Sequence, residues 1–351
     1  MILGTNLTLA GGIATSAVVG WLLSLTGIPL AWILGAMLGS AVYANTVGLG
    51  GKTKYARRLG QLLIGAATAA ILTPDILGEL WSFLPAMIVA AFVANALGVL
   101  LAFPLQKIAG VDRKTALLST LPAGMSEMAS LARETGAQAD VVMVVHTLRV
   151  VMIVVLVPFL FGIDRGAVAA EVDPQASLAA LATCVAGGLL LSIVTARLGV
   201  LNPWVIMPMA VGIALVSMNV SIATMPWWLI VGAQVLIGFS LGARLKREDF
   251  ARVPRAAIAA IICSGGLILI MVFGFVPILL LFIDVAPVSL ALGVAPGGLG
   301  EMIASAKALG AAAAIVAGFQ FTRSFLTNII APPLLVRFAV GPEGTDKATK
   351  T

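Results

Sequence analysis

Two stretches decide the fold: TALLSTLPAGMSEMASLAR, Thr115 to Arg133, and SLALGVAPGGLGEMIASAK, Ser289 to Lys307. Each is an apolar run broken at its centre. Pro122 removes a backbone donor and Gly124 permits a sharp turn. Pro296, with Gly297, Gly298 and Gly300, breaks the second run more thoroughly. The two breaks lie 174 positions apart, and each is followed by a glutamate, Glu127 or Glu301. Neither run reads as a plain lipid-facing helix, because broken backbone at membrane depth is tolerated only against protein or a water-filled cavity.

The chain around them is built for lipid. Of 351 residues, 60% are hydrophobic and only 10% are charged, with 37 glycines besides. Mean hydropathy is +1.11. A soluble domain carries about 25% charged residues, so this composition excludes an ordinary globular enzyme, a nucleic-acid-binding domain and a disordered regulator. At about 20 apolar residues per span, there is room for roughly ten transmembrane helices. The net charge of +6 reads as basic cytoplasmic loops rather than a nucleic-acid partner. Cys184 and Cys263 sit in apolar runs and form no disulfide framework or zinc spacing. The uncharged N-terminus leads into further spans and reads as a first helix rather than a cleaved signal.

The chain also repeats itself. Gly60 to Leu77 aligns with Ala233 to Phe250 at an offset of 173. PAGMSEM (Pro122–Met128) aligns with PGGLGEM (Pro296–Met302), HTLR (His146–Arg149) with QFTR (Gln320–Arg323), and Pro158 with Pro332, all at 174. Apolar runs fall near 7–24, 29–46, 58–73, 81–104 and 139–163, then near 178–196, 203–218, 226–243, 256–282 and 311–335. Charge sets their relative orientation. Lys52, Lys54, Arg57 and Arg58 follow the second run of the first half, whereas in the second half Arg244, Lys246, Arg247, Arg252 and Arg255 follow the third. Lys and Arg stay cytoplasmic, so equivalent loops lie on opposite faces. The expected fold is an all-α polytopic membrane protein of two inverted-topology repeats, each about five transmembrane helices plus one re-entrant, broken helical hairpin. The expected divisions are 1–166, an extracytoplasmic linker 167–177, the inverted repeat 178–340 and a disordered cytoplasmic tail 341–351. Both termini are expected in the cytoplasm. That topology places 17 of the 21 basic residues inside, with Arg165 and Lys307 outside and Arg149 and Arg323 within the membrane.

Short Pro/Gly-broken segments at matching positions of two halves point to a transporter binding site. Ser126–Glu127 and Gly300–Glu301 open new half-helices, whose free amides and positive dipole ends favour an anion. Each glutamate is a candidate proton carrier, sodium ligand or substrate contact. The alternatives are an N-terminal cap or a salt bridge to Arg149 or Arg323, each 22 positions later and about 15 Å deep. His146, aligned with Gln320, is either a proton shuttle or a helix-packing residue. Gln61 and Gln234 match within apolar helices and either contact substrate or bond between helices. Gly65 and Gly238 allow close helix approach, and Trp81, Trp227 and Trp228 form an interfacial belt.

These residues, PAGMSEM…HTLR and PGGLGEM…QFTR, together with LGQLLIG (Leu59–Gly65) and IPLAWILGAMLG (Ile28–Gly39), resemble the AbrB family of duplicated bacterial inner-membrane proteins. Members are often labelled ammonia monooxygenase or regulator. The resemblance covers about residues 5–338 and implies a plasma-membrane protein without established chemistry. By fold analogy alone, the architecture is similar to elevator-type secondary transporters, which are commonly homodimers. An oxidising enzyme would need clustered His and carboxylate metal ligands, and a single histidine cannot supply them. The expected function is therefore a secondary transporter of a small polar or anionic solute, of the amino acid or carboxylate class, with no cofactor beyond a coupling Na+ or H+. The alternative is a membrane-embedded sensor or regulator of gene expression.

Overall fold

The structure, a computed structural model, describes residues 2–28, 30–49, 53–161 and 176–339. Most of the expected linker and the whole 341–351 tail lie outside the described residues, as does the side chain of Ser126. The elements are α1 (Ile2–Ser24), α2 (Ala31–Thr46), α3 (Thr53–Ala69), α4 (Pro74–Ser82), α5 (Leu84–Ala109), α6 (Arg113–Thr120), α7 (Met125–Thr135), α8 (Ala139–Phe161), α9 (Leu178–Arg197), α10 (Pro203–Ser217), α11 (Trp227–Gly242), α12 (Arg247–Arg252), α13 (Pro254–Leu269), α14 (Val276–Leu279), α15 (Pro287–Val294), α16 (Leu299–Ala308) and α17 (Ala313–Ala339). A π-helical turn, Ile270–Phe275, joins α13 to α14. Local chemistry sets several starts. Thr73 caps α4 with Pro74 at its first position, Asp112 caps α6 and Ser177 caps α9.

The apolar runs of the sequence are helical over their described residues, but among the described residues five helices are long and apolar enough to cross a bilayer, or six if α3 and α4, bent by 103°, count as one. The sequence reading of ten full spans is larger because several runs make short helices. The 15 residues of α10 rise only about 23 Å against a hydrocarbon core of about 30 Å. Helix α17 has 27 residues but carries Gln320, Arg323 and Asn328 in its middle. Lys54, Arg57 and Arg58, read from sequence as a loop, lie in the first turns of α3. Asp75 and Glu79 lie in α4.

The helices sort into two groups. In the first, α2 packs on α1 and α11, and α10 packs on α9 and α3. In the second, α13 packs on α8 and α5, and α17 on α5, while α6, α7, α15 and α16 pack against α8 or α17. The groups meet chiefly where α16 lies on α3 and α11. One continuous apolar core, including Ile64, Ile237, Leu299 and Ile303, runs through that junction.

Helix α16 is pinned along α3. Arg57 pairs with Glu301 at 2.8 Å. Ten residues further along α3, the carbonyl of Ala67 accepts a hydrogen bond from Lys307 Nζ at 2.9 Å. Helix α11 runs against α3 in the opposite direction. Ala56 clusters with Phe239 and Ala243, Gly60 approaches Ala233 and Ile237, and Ala66 clusters near Leu229 and Ile230.

Glycine makes the tightest crossings possible. A Cβ on Gly65 would lie 2.5 Å from the Val205 carbonyl oxygen of α10. The matching Gly238 packs on the Ile33 carbonyl of α2 just as closely. Both glycines therefore serve close approach, as the sequence suggested. Gly238→Ala is expected to cost about 1–3 kcal/mol through forced separation of α2 and α11. Gly232→Ala in the same helix, where no atom lies within 4 Å of the new Cβ, should be neutral or mildly stabilising. Thermal unfolding in detergent separates the two, and equal stability would overturn the close-packing argument. Cys184 and Cys263 are buried and unpaired. Trp81, Trp227 and Trp228 are exposed, as a headgroup belt requires.

Candidate functional site

Helices α6 and α7 form a helical hairpin. Just after α7, the amide of Gln138 donates to the Thr115 hydroxyl at 2.9 Å, so α7 returns to the first turn of α6. The second hairpin, α15–α16, closes identically: the Ala312 amide donates to the Ser289 hydroxyl at 2.9 Å. At the tips, the Ala123 amide donates to the Leu121 carbonyl (2.9 Å) and the Gly297 amide to the Ala295 carbonyl (2.7 Å). Each is a three-residue turn centred on proline, whose fixed φ suits it. The buried Pro122 and Pro296 thus form the turns as well as ending α6 and α15.

Two arginines hold the tip carbonyls. Arg149 donates to the carbonyls of Thr120 (3.3 Å), Leu121 (3.2 Å) and Ala123 (3.4 Å). Arg323 donates to Ala295 (2.6 Å) and Gly297 (2.7 Å) of its own hairpin and to Pro122 (3.0 Å) of the other. That last bond ties the two tips together. Beside each arginine sits a residue offering one donor and one acceptor. Gln320 donates to the carbonyls of Leu292 (2.6 Å) and Ala295 (2.9 Å), and its Oε1 accepts from Arg323 at 2.6 Å. His146 Nε2 lies 2.9 Å from the Leu118 carbonyl and its Nδ1 lies 2.8 Å from Arg149. A carbonyl and a guanidinium dictate the neutral tautomer with the proton on Nε2. The alignment of His146 with Gln320 is thereby explained: both bridge a carbonyl to an arginine.

The glutamates occupy the third position of each half-helix and fold back over the glycine that precedes it. A Cβ on Gly124 would collide with the Glu127 carboxylate, and one on Gly298 with that of Glu301. These positions place each carboxylate at the positive helix end. The sequence alternative of a Glu–Arg pair holds for Glu301, but its partner is Arg57 of α3 rather than Arg323. Arg149 and Arg323 are instead engaged by carbonyls. Gly300 is required by Gln61: a Cβ there would meet its Cγ at 2.8 Å. Gly297 would likewise clash with Met302. Gln234 is buried in α11.

A cavity of about 460 Å³ opens at the tips, lined by Gly124, Glu127, His146 and Arg149 of one hairpin and its helix, and by Gly297, Gly298 and Glu301 of the other. Gln61 and Ser324 also line it, whereas Gln234, Gln320 and Arg323 do not. The lining cations are Lys54, Arg57, Arg58, Arg149 and Arg244, against the carboxylates Glu127 and Glu301. Arg58 lies over the Trp204 ring at 5.0 Å. Arg57 and Arg244 were missed as site residues, because the sequence used them only as markers of membrane orientation. The available signal was that Arg57 precedes Gln61 by one helical turn, on the same face of α3. A smaller cavity, about 270 Å³, adjoins across Met125, Thr147 and Arg244. There the Met125 sulfur accepts from Thr147 at 3.5 Å and from Arg244 at 3.6 Å. Among the described residues, no group of three His, Cys, Asp or Glu side chains converges.

Fold and site define a helical, multi-pass membrane protein whose two broken-helix hairpins meet over a charged cavity. The family profile described as "Transition state regulatory protein AbrB" matches residues 51–339, and the chain belongs to this family. "Uncharacterized protein YhjN" of Bacillus subtilis (strain 168) is 29% identical, over 92% of this chain and 90% of the relative. "Putative regulator AbrB" of Escherichia coli (strain K12) is 24% identical, over 89% of this chain and 90% of the relative.

Proposed function

We propose that the protein is a secondary active transporter of a small organic anion or zwitterion, of the carboxylate or amino acid class. It works as two inverted repeats whose hairpin group moves against the α1–α3/α9–α11 group. The observation that carries this reading is the pair of tips. Two half-helix N-termini, tied together by Arg323, face one cavity in which five cations outnumber two carboxylates. An anion there exchanges its hydration for helix dipoles and guanidinium groups. The inverted arrangement is supported by the opposed directions of the equivalent helices α3 and α11 and by the opposed loop charges. Lys54 and Arg58 at the cavity mouth belong to the face that charge assigns to the cytoplasm, so this state is read as inward-facing.

Residence in a bacterial inner membrane with both termini inside, a homodimeric assembly, coupling to Na+ or H+, and no enzymatic activity or nucleic-acid partner belong to the same proposal. The name of the Escherichia coli relative favours a second reading, a membrane-embedded regulator. Purified protein in proteoliposomes, given radiolabelled carboxylates and amino acids under imposed proton or sodium gradients, tests the first. Saturable, gradient-dependent uptake is expected. No movement of any solute under either gradient would turn the argument toward the regulator.

A further inference from the structure

The two hairpins repeat each other closely, yet they differ at one point. Glu127 and Glu301 are equivalent, but the position equivalent to Arg57 in the other half is Ile230. Of the two glutamates, Glu301 is the one that forms an ion pair with an arginine of the opposing helix group among the described residues. Glu301 is buried, 1% exposed, and Arg57 is partly buried, 19% exposed. The pair is also poorly satisfied. Neither carboxylate oxygen of Glu301 makes a hydrogen bond, and Arg57 Nε has none either. A buried carboxylate with open lone pairs is costly to hold, and so is a buried guanidinium with an open donor. Both face the cavity. A structural ion pair is normally completed by further hydrogen bonds; this one is not.

We infer that Arg57 is the residue that receives the substrate's carboxylate, and that Glu301 holds its place while the cavity is empty. The inference rests on the transporter reading and adds to it a docking residue and a resting-state latch. An arriving anion offers Arg57 a second carboxylate with freely chosen geometry, allowing the bidentate fork that Glu301 does not form. Glu301 then turns to Arg244, which is close enough to feel the charges of both Arg57 and Glu301. The other charged groups lining the cavity are Arg149 and Glu127 on the hairpin side and Lys54 and Arg58 at the mouth, with neutral His146 beside them. Because Arg57 belongs to α3 and Glu301 to α16, the exchange also removes one of the two pins described between α3 and α16, leaving Lys307 on Ala67.

The test uses charged thiol reagents as the anion, so it does not depend on knowing the substrate. Val150→Cys, a near-isosteric change on the cavity wall, is labelled in detergent with anionic ethylsulfonate and cationic trimethylammonium methanethiosulfonates. The buried Cys184 and Cys263 of the unsubstituted protein supply the blank. The ratio of the two rates cancels thiol ionisation and reads the anion preference of the cavity. Glu301→Gln should raise that ratio about tenfold by freeing Arg57. Glu127→Gln, which removes the same charge from the same cavity, should raise it by no more than about threefold. Equal effects would overturn the latch. Should Arg57→Gln alone fail to fold with Glu301 left unpaired, the double variant Arg57→Gln, Glu301→Gln decides: the gain must vanish, and its persistence rules Arg57 out. Labelling involves no transport, so it separates failure of this inference from failure of uptake.

Discussion

Arg323→Lys is expected to leave the site unassembled. The guanidinium makes four hydrogen bonds, three to tip carbonyls and one to Gln320, and one of them crosses between the hairpins. A lysine ammonium is a single point with three donors and cannot reproduce that planar fork. The Ala295 carbonyl keeps its donors from Gln320 and Gly297, but those of Pro122 and Gly297 lose theirs. Each buried carbonyl left without a partner costs about 1–3 kcal/mol, so losing two is a large share of the stability of many domains. Uptake should be lost together with a large drop in the unfolding midpoint in detergent. Arg149→Lys should be milder, because its carbonyl contacts are longer and stay within one hairpin. A direct substrate role for Arg323 makes the opposite forecast: a stable Arg323→Lys protein with weakened binding only. Finding that stable protein would return Arg323 to the substrate and remove it from the scaffold.

The second large effect concerns orientation and is all-or-none. Lys54→Cys and Thr224→Cys mark equivalent ends of α3 and α11, and both native side chains are exposed. In intact cells a membrane-impermeant maleimide should reach residue 224 and not residue 54. Permeabilisation should then expose residue 54. Labelling of both from the same side would show that the halves are not inverted, whatever their internal similarity. It would also leave the proposed transport cycle without its symmetry.

Much of this architecture was legible in the residues because its causes are local. Pro122 and Pro296 break helices wherever they stand, since the missing N–H and the ring clash belong to the residue itself. Glycine before each glutamate, and the recurrence of both at one offset, located the two half-helix N-termini. Charge located the expected faces. The helix count was read less well. Apolar composition marks where a helix forms, whereas its length depends on where caps and bends fall, as at Thr73 and in the 103° turn between α3 and α4.

What the sequence determined alone was a lipid-soluble, all-helical chain with two broken segments, each followed by a carboxylate and, 22 positions on, by an arginine. What only the tertiary structure decided was the pairing. Arg149 and Arg323 turn to backbone carbonyls because breaking a helix exposes acceptors at the same depth, and a buried guanidinium takes the nearest set that satisfies its fork. Arg57 meets Glu301, 244 positions away, because α16 lies along α3. No periodicity or spacing encodes that encounter: it follows from packing two helix groups, where the partner of a charge is whatever the opposing surface presents.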